Sequence, residues 1–119
     1  MPVYKSRIDP DTDTFRENEV SMQRRIEDLK EVTSRINRGG DAKARENHKN
    51  NGKLPVRDRI QLLIDRGTHF LELSVLAGYQ LYGDKVPAGG IISGIGTIMG
   101  RECVIIANDA TVKGGTYYP

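Results

Sequence analysis

Apolar residues recur every three or four positions at Met22, Ile26, Leu29, Val32 and Ile36. That spacing puts them on one face of a helix and predicts an amphipathic helix from about Arg16 to Arg38. Arg35 and Arg38 suit the negative C-terminal end of such a helix, and Gly39-Gly40 stop it. Its apolar stripe is narrow and the rest of its surface is charged. A helix of that kind lies across a partner surface more readily than it forms a core alone. Before it, residues 1–15 read as extended, with a turn-like acidic stretch at Asp9-Pro10-Asp11-Thr12-Asp13. After it, Asp41 is a suitable N-cap for a polar helix over 41–50, broken by Asn51-Gly52. Pro55 suits the first position of a third helix over 55–66, with Val56, Ile60, Leu63 and Ile64 as its apolar face and Gly67 at its end.

From Phe70 onward the helical period disappears. Phe70-Leu71-Glu72-Leu73 reads as a short strand and residues 75–87 as an irregular loop carrying Tyr79 and Tyr82. Residues 90–98 predict a strand, 99–102 a turn, and 103–108 a returning strand whose continuous Val-Ile-Ile run predicts full burial. Residues 109–119 form a glycine-containing loop. The fold class expected is mixed α/β (α+β): an extended and helical arm over 1–38, then a sheet-forming body over 39–119. The body ends without a closing element, so the opening piece of a longer protein is expected.

Composition sharpens this division. All 13 glycines lie at or after Gly39. With 6% aromatic residues and no Trp, the core must be aliphatic and modest. The charges nearly balance, 18 Lys+Arg against 16 Asp+Glu, which excludes a basic nucleic-acid arm or an acidic tail. Arg24, Arg25, Arg35 and Arg38 could still bind nucleic acid weakly, but Glu27, Asp28 and Glu31 interleave with them. No apolar run reaches the roughly 18 residues of a membrane span, and no apolar stretch follows Met1. A single cysteine favours a reducing compartment. A cytoplasmic chain, with neither nucleic acid nor membrane as partner, is the expectation.

Candidate chemistry is sparse. Gly94 and Gly96 form a GxG, but the next glycine is Gly100 and a hairpin follows, so the dinucleotide fingerprint fails and close strand packing explains the pair better. No Walker-type phosphate loop is present. His48 and His69 have no further ligand at metal spacing. Cys103 heads an aliphatic run and reads as a small buried hydrophobe, not a nucleophile. The loop after the last strand offers more. Asn108, Asp109, Ala110, Thr111, Lys113, Gly114 and Gly115 combine one cation, flexible glycines and free backbone N–H groups, chemistry suited to a phosphate-bearing ligand. The same residues also make a plain turn with a solvated lysine, and both readings stand.

The sequence from Gly39 to Pro119 resembles the beginning of the carboxyltransferase (beta) subunit of biotin-dependent acyl-CoA carboxylases. The matching pattern is Ala44-Arg45, His48, Gly52-Lys53-Leu54, Arg57-Asp58-Arg59-Ile60, Leu63, Asp65, Gly67 and Phe70-Leu71-Glu72-Leu73. Segments 77–83, 87–98 and 107–119 resemble the methylcrotonyl-CoA branch. Geranyl-CoA carboxylase stays open, and the propionyl-CoA branch usually has a Phe-containing version of the last loop. The resemblance implies a crotonase-like fold with CoA at a subunit interface. It implies an ATP-dependent ligase complex in which carboxybiotin gives its carboxyl group to 3-methylcrotonyl-CoA, in leucine degradation. The implied partners are the acyl-CoA, a biotin carboxylase and biotin carrier (alpha) subunit that holds the biotin, and further beta subunits. It places loop 108–116 near CoA. The family's catalytic turns fall beyond Pro119, so no catalytic residue is assigned and the isolated chain is expected to be inactive. A non-enzymatic module docking through the 16–38 helix is the rival reading, and it leaves the 44–73 pattern unexplained.

Overall fold

The computed structural model describes residues 3–119; Met1 and Pro2, the start of the extended stretch expected over 1–15, lie outside the described residues. Three helices come first: α1 (Asp13–Asn37), α2 (Ala42–Asn50) and α3 (Val56–Leu63). Three strands follow, β1 (Leu71–Leu73), β2 (Ile91–Ile98) and β3 (Arg101–Asn108), with short 3-10 turns between and after them. The chain divides inside α1, between Val32 and Thr33, and each part is described by itself.

In the first part, Asp9 builds the expected acidic turn. Its carboxylate accepts the Asp11 N–H at 3.0 Å and its carbonyl accepts the Thr12 hydroxyl at 2.9 Å. Thr12 Oγ1 in turn accepts the Phe15 N–H at 3.3 Å. That side-chain cap lets α1 begin at Asp13, ahead of the start at Arg16 that periodicity predicts. Along the helix Val20, Met22, Ile26 and Leu29 are all exposed.

The second part opens with the end of α1, where Ile36 is buried and the Gly39 N–H returns to the Ile36 carbonyl at 2.9 Å. Asp41 caps α2 as expected, accepting the Ala44 N–H at 2.7 Å. The third helix departs from expectation. It ends at Leu63 and does not run on to Arg66, because Ile64 turns to extended backbone and is buried. There its Cγ2 lies 2.8 Å from where a Cβ on Gly96 would stand. The next residue, Asp65, donates its N–H to the Thr97 carbonyl at 2.8 Å. Tertiary packing thus removes the last helical turn that the apolar pattern would allow.

The sheet is antiparallel in the order β1-β2-β3. Glu72, Gly94 and Ile105 stand side by side on one face; Leu71, Ile95 and Val104 share the other. The first face is the core side. Ile92 and Ile105 are buried there together with Val56 and Ile60 of α3 and Ile64. The two GxG glycines lie on this side. A Cβ on Gly94 would collide with the Leu71 carbonyl and the Phe70 ring, and one on Gly96 would stand 3.1 Å from Ile105 Cδ1. They are close-packing glycines, as the failed fingerprint suggests.

The opposite face corrects an expectation. β3 is not fully buried: Val104 is 75% and Ile106 69% exposed, and Cys103 is only half-buried. The residues alternate, one row packed and one row open, although the sequence reads as a continuous aliphatic run. The β2–β3 turn is also tighter than the expected 99–102. Met99 and Gly100 alone turn the chain, both with positive φ (50° and 74°), the conformation that two-residue hairpins require. The Asp65 carboxylate holds both turn N–H groups, at 2.8 and 2.7 Å.

One ion pair ties the helices to the sheet. Arg57 of α3 grips Glu72 of β1 in a two-point contact, Nη2 to Oε1 at 2.6 Å and Nε to Oε2 at 3.0 Å. A third donor of Arg57 reaches the Asn37 carbonyl at 3.2 Å. Both side chains are mostly buried, so this pair is screened far less than a surface one.

Candidate functional site

The loop that follows β3 consists of an anchored stretch and an open turn. Asp109 is buried, and its N–H donates to the Gly90 carbonyl at 2.9 Å. Its carboxylate accepts the Thr111 N–H at 2.9 Å and the Thr111 hydroxyl as well. Thr111 Oγ1 then accepts the Gly40 N–H at 2.9 Å. A Cβ on Gly40 would overlap the Thr111 carbonyl, so Gly39-Gly40 both stops α1 and lets the loop approach the backbone. Val112 is buried against Gly90. Asp109 and Thr111 therefore have their polar groups committed inside the protein.

The remaining candidates face outward. Asn108, at the end of β3, donates its amide to the Gly115 carbonyl at 3.3 Å and to the Tyr117 hydroxyl at 3.1 Å, closing the loop. Ala110 is exposed. Lys113, Gly114 and Gly115 form a left-handed turn with φ of 46°, 66° and 86°. Lys113 Nζ donates to the Tyr117 carbonyl at 3.1 Å and lies 4.2 Å from the centre of the Tyr118 ring. The loop thus supplies one exposed cation beside an aromatic face and a turn of accessible backbone.

Facing this turn across a cleft of about 690 Å³ is a wall that sequence patterns did not reveal. It comes from the end of α1 (Arg35) and the residue just after it (Arg38), from α2 (Arg45) and from the 78–87 loop (Tyr79, Lys85). Arg35 lies 5.9 Å from the centre of the Tyr79 ring and 3.9 Å from Asp84. A signal was available: Arg35 and Arg38, three residues apart, project from neighbouring positions on a helix, and Arg45 belongs to the resemblance pattern.

Other singled-out residues have internal roles. His48 Nε2 sits 3.0 Å from the Leu54 carbonyl, pinning the α2–α3 connection, and His69 is exposed. Cys103 Sγ reaches the Arg101 carbonyl at 3.6 Å. No helix among the described residues is long and apolar enough to cross a membrane.

The family model for the carboxyl transferase domain matches residues 47–119. The probable mitochondrial methylcrotonoyl-CoA carboxylase beta chain of Drosophila melanogaster is 49% identical over 118 residues, covering 98% of this chain and 20% of that protein. The beta1 subunit of the biotin-dependent 3-methylcrotonyl-coenzyme A carboxylase of Mycobacterium tuberculosis is 58% identical over 81 residues, 68% of this chain and 15% of that one. Among solved structures, the beta subunit of P. aeruginosa geranyl-CoA carboxylase superposes with a TM-score of 0.83 at 37% identity, over 98% of this chain and 22% of that chain. The mixed helix-and-strand architecture is thus the one found in carboxyltransferase beta subunits of the crotonase-like fold. The chain spans about a fifth of the length of the curated relatives it matches across nearly its whole extent. On these grounds the chain belongs to the carboxyl transferase domain family.

Proposed function

We propose that the polypeptide carrying this segment is the carboxyltransferase subunit of a methylcrotonyl-CoA carboxylase, and that residues 39–119 open its acyl-CoA-binding domain. The observation that carries the site is the left-handed turn Lys113-Gly114-Gly115 in the loop after β3, whose Lys113 lines one cleft together with the Tyr118 ring beside it. Near-complete alignment with methylcrotonoyl-CoA carboxylase beta chains supports the acyl group. The geranyl-CoA carboxylase superposition makes the longer branched substrate the second reading. The partners are a subunit carrying biotin carboxylase and biotin, and further copies of the same subunit. The half-buried single cysteine suits a reducing compartment, which a bacterial cytoplasm and a mitochondrial matrix both provide.

In this reading Asp109, Thr111 and Gly40 hold the loop and Lys113 reaches the phosphate-bearing part of the thioester. Biotin, when brought by its carrier, supplies the carboxyl group. No residue described here is assigned to its ureido ring. The test is carboxylation of 3-methylcrotonyl-CoA, geranyl-CoA and propionyl-CoA by the full polypeptide with its biotin-carrying partner, ATP and bicarbonate. A charge-assisted phosphate contact is worth roughly 1.5–3 kcal/mol, so Lys113→Ala should raise the acyl-CoA KM about tenfold or more. The contact is remote from the reacting carbon, so kcat should change little. An unchanged KM in a folded variant would leave the loop as a plain turn.

A further inference from the structure

We infer that the first part of the chain is a docking helix. The apolar row Met22, Ile26 and Leu29 of α1, rimmed by Arg16, Arg25 and Lys30, pairs with an acidic amphipathic helix of another protein. This partner is separate from the acyl-CoA reading and does not depend on it, since α1 ends before the carboxyl transferase match begins at residue 47.

An α-helix turns about 100° per residue, so Met22, Ile26 and Leu29 lie within roughly 60° of one another. All three are exposed, and the half-buried Phe15 extends their row toward the N-terminus. Val20 is exposed too but projects from another side. Residues 3–12 therefore leave the row open. A helix in water draws most of its stability from packing its apolar face, and an open row of this kind is what helix-to-helix docking covers.

Charge decides the partner. Arg25 stands on one edge of the row and Lys30 and Arg16 on the other, with Glu19 the one carboxylate beside them. Among the described residues Arg25 and Lys30 are paired with no carboxylate, and Arg16 has only Asp13, 3.9 Å away in an exposed pair. Glu17, Glu27, Asp28 and Glu31 lie on the back of the helix, with Arg24 and Arg35. The rim is basic and the back is acidic. In paired helices the charges flanking the apolar row choose the partner, by attraction and by like-charge rejection. A second copy of α1 in either direction would set Arg25 against Arg25 or Lys30. An anionic membrane suits helices whose polar face is rich in Lys and Arg, whereas α1 carries six carboxylates against five cations. A helix flanked by glutamate or aspartate meets both the row and its rim.

The experiment is equilibrium binding of the full polypeptide carrying residues 1–119 to two synthetic three-heptad peptides. Both have leucine in the apolar row; one is flanked by glutamates and the other by lysines, so neither pairs with itself. The glutamate peptide should bind about tenfold more tightly or better, and its affinity should fall as salt rises. Ile26→Gln should cut that affinity about tenfold, while Val20→Gln, on another side of the helix, should leave it unchanged. Arg25→Glu combined with Lys30→Glu should reverse the preference toward the lysine peptide, a change that loss of folding cannot produce. Binding of neither peptide, equal binding of both, or a preference that the charge swap leaves intact overturns the inference. Attachment to phosphatidylserine vesicles without peptide binding overturns it in favour of a membrane. Self-association that Ile26→Gln abolishes, again without peptide binding, overturns it in favour of a second copy.

Discussion

The two faces of the three-stranded sheet are made from the same aliphatic stretches, yet they are built on opposite rules. The core face carries Gly94 and Gly96 alongside Ile92 and Ile105, and its small residues let Phe70 and Ile64 press onto the backbone. The open face carries Leu71, Leu73, Ile95, Val104 and Ile106, all exposed, and no helix of the second part covers it. By side-chain hydrophobicity the open face is the richer one. Burial here follows from what packs against a face and not from how apolar that face is. Unbroken aliphatic runs are typical of strands covered on both sides, which is why β3 reads as buried while only alternate residues are.

The comparison breaks most severely at Gly94. A Cβ there meets a backbone carbonyl as well as the Phe70 ring, and the carbonyl cannot step aside as a flexible side chain can. Gly94→Ala should destabilise the second part by about 3 kcal/mol or more, at or beyond the upper end of overpacking effects. Ile95→Ala, one residue along on the open face and 37% exposed, should cost only about 1 kcal/mol. Urea unfolding of the two variants side by side measures the difference. Similar values would mean that the faces are equivalent.

A cavity on the packed side sharpens the same contrast. Ile92 is 1% exposed, so Ile92→Ala removes atoms from a filled space and should lose about 2–5 kcal/mol. Val104→Ala removes atoms from water and should lose little. The same denaturation series reads both, and the ratio of the two losses matters more than either absolute value.

A smaller effect is expected at the end of the sheet. Asp65 accepts both N–H groups of the Met99-Gly100 turn, and these hydrogen bonds are solvent-exposed. Asp65→Ala should reduce stability by about 1–2 kcal/mol and hasten amide exchange at Met99 and Gly100. Asp65→Asn keeps one acceptor oxygen and should fall between. Unchanged exchange at the two turn amides would show that the hairpin needs no clamp.

How far the sequence revealed this architecture depends on how local each feature is. Helix α2 was readable because its stop and start signals, Asp41 and Asn51-Gly52, act within a few residues. The strand order was readable as a hairpin because a glycine sits between two aliphatic runs. The end of α3 was not, since Ile64 leaves the helix to pack against Gly96, a contact spanning more than thirty positions. The Arg57–Glu72 pair and the Asp65 clamp were hidden for the same reason, although all three residues stood in the resemblance pattern. At the site, the Lys113 turn could be read from local chemistry. Its facing wall could not, because the close approach of Gly40 to Thr111 brings the α1–α2 junction to the loop.

The smallest expected change in folding stability, and the most telling for the comparison, is at Ile106. Its side chain is 69% exposed, and its cross-strand neighbour Ser93 stands beside Leu73 in the same open row. Ile106→Lys therefore buries no charge, breaks no packed contact and leaves the strand's backbone ladder intact. Its effect on unfolding free energy should stay within about 0.5 kcal/mol. Self-association should respond differently. Leu71, Leu73, Ile95, Val104 and Ile106 form one contiguous apolar surface, and a surface of that kind drives molecules together. A lysine on it should shift the 119-residue chain toward monomer in sedimentation velocity runs over a concentration series, while Ile92→Ala should not. If Ile106→Lys instead destabilises the fold as much as Ile92→Ala does, the open row is packed in solution and the two faces are alike.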